Sequence, residues 1–324
     1  MISRVPGWAS CGTLGVVLLL LTAGRANAQF LGAWLPPERS LNGEVGVIYH
    51  NNSSWFCGDF QEHCEPGERD RFSELPVTEE QSRTLSFYLK TEIVPWRFLG
   101  LFAEIPFHVL DYEAMSGSNL ALPPLESRGI GDLRLVARTG TTLGSWALSG
   151  GYGITFPTGD FSIDAFIVPL GQGTQNHDFF AEVGKSLYPL PGYVQGGALY
   201  RLRNSFDVEL LGEKIGEVDW GDEFSLYLQG GWNFTGPWWG KLETRVFKSQ
   251  RWTTTFVNEE GDFRSQWNVL PAVFVEHWGA FWEIWAAVPL AGRATPADPA
   301  FGLKVYYRYD AGEQPKAPAG TATP

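Results

Sequence analysis

The chain has 324 residues, 24 Lys and Arg against 36 Asp and Glu, a formal net charge of −12 and a pI near 4.9. That balance excludes a basic nucleic-acid binder, and an apolar content of 44% excludes a disordered chain. A mean hydropathy of −0.12 argues against a helical membrane bundle, while 14 Trp and 38 Gly suit either a soluble protein or an outer-membrane β-barrel.

Residues 1–28 read as a cleaved signal peptide. Arg4 supplies the positive start, Gly15–Leu21 a short apolar run, and Ala26-Asn27-Ala28 an A-x-A site. The run is too short to span a membrane. Residues 29–42, with Pro36-Pro37, form a lead-in that either hangs in the periplasm or tucks into the barrel base. Past residue 28 no stretch of 18 apolar residues is free of charge, so no spanning helix is expected.

Period-2 alternation takes its place. Twelve segments show it: 43–50, 83–93, 98–109, 130–139, 145–156, 177–187, 193–203, 223–234, 238–249, 263–276, 279–289 and 300–309. In 223–234 one face reads Phe224, Leu226, Leu228, Gly230, Trp232, Phe234 and the other Glu223, Ser225, Tyr227, Gln229, Gly231, Asn233. Most segments are long enough to cross a bilayer at a tilt, for which about 9–11 residues suffice. The connections alternate long (51–82, 110–129, 157–176, 204–222, 250–262, 290–299) and short. This predicts an all-β fold: a transmembrane antiparallel up-and-down barrel with short periplasmic turns and long extracellular loops. Trp96, Trp146, Tyr188, Trp238, Trp239 and Trp278 fall at the short turns, as a periplasmic aromatic girdle would. The barrel is assigned to residues 29–309, and the Ala-, Pro- and Gly-rich 310–324 to a disordered tail.

The acidity is one-sided. The long loops carry 23 acids against 6 bases, while the rest of the chain beyond the signal peptide is slightly basic. The plainer reading is a solvated face that keeps the loops soluble; the functional one is divalent-cation bridging to anionic lipid headgroups, or repulsion of anionic solutes from the mouth. Expected partners are outer-membrane lipid and lipopolysaccharide and a small-molecule solute, with no nucleic acid. Loop 51–82 holds Cys57 and Cys64, read as a disulfide rather than a metal site, because only His63 is near and C-x₂-C spacing is absent. No metal or cofactor motif is present.

The polar face of the strands places Lys90, Glu92, Glu104, Asp132, Arg134, Arg138, Glu182, Arg201, Arg203, Glu223, Lys241, Glu243, Arg245, Glu283, Lys304 and Arg308 toward the lumen. Both signs occur in similar number. Such a lumen is either filled by compensating ion pairs or left as a conduit with charged walls, and the two are compatible. A barrel of twelve strands favours a narrow, partly plugged lumen. No G-x-S-x-G elbow, P-loop or G-x-G-x-x-G occurs. The one acid–base candidate is His177-Asp178 acting with Ser53 or Ser54 near His50, and a rim role for His177 is the plainer reading.

The central segment carries a family pattern: Gly129-Ile130-Gly131-Asp132, Phe156-Pro157-Thr158-Gly159-Asp160, Gly171-Gln172-Gly173 and Tyr200-Arg201-Leu202. Over roughly residues 128–203 it resembles the family called MetA-pathway of phenol degradation, outer-membrane transport barrels of Gram-negative bacteria. The resemblance implies uptake of aromatic or other hydrophobic compounds and supplies no catalytic residues. The leading expectation is thus a non-enzymatic channel or transporter for small solutes. The alternatives are a structural or adhesive barrel with an acidic, disulfide-pinned first loop, and, behind it, a surface hydrolase.

Overall fold

A computed structural model describes residues 32–56, 79–115, 125–159, 170–210, 213–255 and 259–310. The expected signal peptide, Cys57 and Cys64, and the tail from residue 311 lie outside the described residues. Twelve long strands form the body: β1 (Ser40–Asn52), β2 (Glu79–Trp96), β3 (Leu99–Met115), β4 (Leu133–Leu143), β5 (Trp146–Phe156), β6 (Asn176–Ser186), β7 (Gly192–Arg203), β8 (Glu223–Thr235), β9 (Trp238–Thr254), β10 (Glu259–His277), β11 (Ala280–Arg293) and β12 (Ala300–Asp310). Each pairs antiparallel with its neighbours in sequence. β12 closes onto β1 from Ser40↔Asp310 to His50↔Ala300. Asp310, placed in the tail by the sequence, is thus the last residue of the closing strand.

Closure is what a bilayer demands, because hydrocarbon offers no partner to an unpaired backbone group. The side chains show the same solvent. Along β8, Glu223, Ser225, Tyr227 and Gln229 are buried, while Phe224, Leu226 and Leu228 are exposed. Charge inside and leucine outside inverts the usual arrangement of a water-soluble fold and is that of a membrane barrel with a polar interior.

Four strands run further than alternation alone indicates. β2, β3, β9 and β10 reach 17 to 19 residues. Their ends away from the short turns stand beyond what a bilayer crossing needs. The strand expected at 130–139 is split, with Leu125–Ile130 pairing with β3 above β4 and a break at Gly131-Asp132. Three further expected loops contain structure. A hairpin of Phe206–Leu210 and Glu213–Asp219 extends β9, and Trp55–Phe56 pairs with Thr295–Pro296.

At the opposite end the turns are tight. The β10–β11 turn is Trp278-Gly279, with both φ angles positive (54° and 72°), as a two-residue hairpin of right-handed twist requires. Trp96, Trp146, Tyr188, Trp238 and Trp278 are exposed there. Trp239 does not join them. It follows Trp238 directly, so the strand's period of two turns it inward, where it stacks on Phe274 at 5.7 Å.

Candidate functional site: the barrel lumen

Neighbouring strands bring opposite charges opposite one another. Lys90 is the cross-strand partner of both Glu44 and Glu104, with Nζ at 3.2 Å and 3.8 Å from their carboxylates. From Glu44 the chain of pairs runs to Lys304 (3.4 Å), Glu283 (3.5 Å) and Lys241 (2.5 Å). From Glu104 it runs the other way to Arg134 (4.0 Å), Asp178 (2.9 Å) and Arg201 (2.7 Å). Arg201 faces Glu223 across β7 and β8, and Glu223 binds Arg203 at 2.6 Å. The sign alternates at every step of this belt around the inner wall. Charges removed from bulk water persist when each has an opposite neighbour, and the belt gives every member one.

One side of the lumen is filled. Residues 32–35 enter the barrel and meet β4, β5, β6 and β7. Arg138 forms a two-pronged pair with Glu92 (2.6 Å and 3.0 Å) and donates from Nη1 to the carbonyl of Gly32 (2.8 Å). The Glu182 carboxylate accepts from the Gly32 amide (3.0 Å), the Tyr227 hydroxyl (3.0 Å) and Ser149 (3.1 Å). The Ala33 amide donates to Gln195 Oε1 (3.1 Å), and Trp34 meets Tyr193 edge-on at 5.7 Å. A side chain at Gly184 would strike the Trp34 ring at 2.5 Å, so this strand position is open only because it is glycine. Beside the segment, Phe102, Val136, Phe180 and Leu199 form a small apolar cluster on the inner wall. The two placements left open for the lead-in are decided: Gly32 to Leu35 tuck into the barrel.

The other side is open. A cavity of about 270 Å³ lies between Gly32 and the walls of β1, β2 and β8 to β12, and reaches Phe102 on β3 and Gln195 on β7 at its edge. Glu44, Lys90, Lys241, Glu243, Arg245, Glu283 and Lys304 line it together with Tyr88, Trp285 and Tyr306. Arg245 is held by Glu243 two residues away on the same strand, at 2.5 Å.

The family pattern near Asp132 is one knot in space. Thr158 Oγ1 accepts from the Leu133 amide (2.9 Å) and donates to the Gly131 carbonyl (2.8 Å). The Asp132 carboxylate accepts from the backbone amides of Gly159 (3.2 Å) and Gln172 (2.7 Å). A Cβ on Gly171 would lie 2.2 Å from that carboxylate, so glycine is required for the close approach. Asp132, expected beside Arg134 on the lumen wall, instead ties two loop segments to the strand break.

The remaining sequence-selected residues fall as follows. Lys90, Glu92, Glu104, Arg134, Arg138, Glu182, Arg201, Glu223 and Glu243 are buried on the inner face, while Arg203, Lys241, Arg245, Glu283 and Lys304 are half-buried there. Arg308 is exposed at the short-turn rim and donates to Asn42 Oδ1. The His177 constellation does not form. His177 Nδ1 contacts the Tyr152 hydroxyl at 2.6 Å, and Asp178 is enclosed by Arg134 and Arg201. His50 contacts the Asp298 carbonyl, and the Ser53 and Ser54 amides donate to the Asp298 carboxylate. The sequence reading omitted Glu44 and took Asp178 for half of an acid–base pair. Their neighbours carried the signal, since Val45 and Phe179 are exposed apolar residues and so turn Glu44 and Asp178 inward.

A closed twelve-stranded barrel with an apolar exterior, a charged interior and an aromatic ring at its short turns is an integral protein of the bacterial outer membrane. No family model matches the chain, and no curated protein sequence does. Among solved structures it is similar to the COG4313 outer membrane channel from Pseudomonas putida F1. The TM-score is 0.68 at 13% identity, covering 87% of this chain and 100% of that one. At that identity the likeness is one of fold. Weaker similarities reach the translocator domain of the autotransporter NalP from Neisseria meningitidis (TM-score 0.47, 11% identity, 92% and 95% covered) and a KdgM porin (0.43, 6%, 82% and 98%).

Proposed function

We propose that the protein is a passive outer-membrane channel for small solutes, and that solutes pass along the open side of the lumen beside the segment 32–35. The observation that carries this is the asymmetry of the interior. The backbone of residues 32–33 is bonded to the wall at Arg138, Glu182 and Gln195, and a cavity of about 270 Å³ with charged and aromatic walls lies beside it. A barrel built only as a rigid anchor has no need to leave its cavity lined by ionic side chains, each costly to keep from bulk water.

Membership of the family that the central segment resembles is part of the proposal, supported by the way three of its motif elements, at Gly131-Asp132, Thr158-Gly159 and Gly171-Gln172, meet at Asp132. Of the solutes that family implies, aromatic ones gain support from Tyr88, Trp285 and Tyr306 on the cavity wall. Purely hydrophobic ones gain none, because the same wall carries the belt of ion pairs. Planar-bilayer recording of the purified full chain tests the proposal. Small, discrete conductance steps are expected, and membranes that stay silent at all voltages would contradict it.

A further inference from the structure

The cavity wall has a property that a mixed set of charges need not have. Along Lys241, Glu283, Lys304, Glu44 and Lys90 every base touches an acid and every acid at least one base, with separations from 2.5 Å to 3.5 Å. Lys304 is shared between two acids and Glu44 between two bases. With Glu104 on the far side of Lys90 (3.8 Å) three bases face three acids, so a solute with a single charge must pull one group from its partner and leave the other facing a poorly hydrated wall. That uncompensated charge is the expensive outcome for any buried pair. A solute with both charges a few ångströms apart avoids it, replacing one acid–base contact by two. The wall also holds a spare donor. Asn42 is 3% exposed and lines the cavity, and its Oδ1 accepts from Tyr306, but its Nδ2 makes no hydrogen bond. An unpaired buried amide donor is a cost that a bound carboxylate would remove.

Resting on the channel reading above, we propose that this cavity selects small zwitterions, solutes carrying an ammonium and a carboxylate with no net charge, over anions and cations of the same size. The carboxylate accepts from Asn42 Nδ2 and Lys304, and the ammonium donates to Glu44 or Glu283.

The test is influx of radiolabelled L-alanine, lactate and 1-amino-2-propanol into liposomes holding the purified full chain at neutral pH, with ion conductance recorded on the same preparation. L-alanine is expected to enter at least about tenfold faster than either ion, a factor equivalent to ~1.4 kcal/mol. Lys304→Met leaves Glu44 and Glu283 short of a base and is expected to raise 1-amino-2-propanol entry above that of L-alanine. Asn42→Leu is expected to slow L-alanine and leave 1-amino-2-propanol unchanged. Equal entry of the three solutes through a conducting wild-type barrel would overturn the zwitterion proposal while leaving the channel intact. No influx together with no conductance would overturn both. The wild-type ranking decides the matter even where a variant fails to assemble.

Discussion

The two sides of the lumen are built from the same alternation of charges and end in opposite states. On the filled side the bases are Arg134, Arg138 and Arg201, with side chains at most 3% exposed, and their forked guanidinium groups hold Asp178, Glu92 and the backbone of residue 32. On the open side the bases are mainly lysines. Lys241 and Lys304 keep 14% and 23% of their side-chain surface exposed and Lys90 keeps 5%; each bonds through Nζ alone, and Lys304 reaches both Glu44 and Glu283. Arginine's planar fork suits a fixed site with several acceptors, while lysine reaches its acids as a point charge on a flexible stem. The lesson is that a charged barrel wall becomes a lock where backbone is present to complete it, and the lining of a cavity where none is.

Breaking the lock should change the protein most. Deleting residues 32–37 removes the segment without touching β1. It is expected to raise single-channel conductance several-fold, because the two sides of the lumen become one passage. Next comes Arg138→Met, which strands Glu92 and the carbonyl of Gly32. Loss of one partner from a buried pair is expected to cost about 3 kcal/mol, measured as a shift in urea-induced unfolding of the barrel in lipid vesicles. Asp132→Ala acts outside the comparison, at the loop knot. Two backbone amides lose a charged acceptor, worth about 2 kcal/mol together, and limited proteolysis should then cut within 157–175 sooner than in the wild type. The smallest stability effect belongs to Lys304→Met on the open side. It should stay below the cost of either other substitution, because Glu44 keeps Lys90 and Glu283 keeps Lys241 as partners, yet move the reversal potential in a salt gradient toward cations. A stability loss there equal to that of Arg138→Met would erase the distinction between the sides.

Much of this fold is written in the sequence because a strand's side-chain period is strictly two. Phe224 to Phe234 declares its lipid face, and the long and short connections declare which end is which. The same rule, applied to every residue, also turns Glu44 and Asp178 inward and keeps Trp239 out of the girdle that holds Trp238. These were legible and needed only the parity of an adjacent apolar residue. The segment Gly32-Ala33-Trp34-Leu35 was not legible. Most of its hydrogen bonds run through backbone amides and carbonyls, which every sequence possesses, and the packing of Trp34 on Tyr193 and over Gly184 depends on residues about 150 positions away. Nor does Asp132 reveal its role alone. Its carboxylate bonds the amides of Gly159 and Gln172, residues 27 and 40 positions away, and only the break at Gly131 brings them together.

In the proposed channel one side of the lumen is filled and the other conducts. Single cysteines placed in a background lacking Cys57 and Cys64 test it directly: Glu243→Cys on the open side and Ser149→Cys behind residue 32. A charged thiol reagent applied during recording should reduce the current of the Glu243→Cys barrel and leave Ser149→Cys unaffected until residues 32–37 are deleted. Equal modification of both positions in the full chain would contradict it.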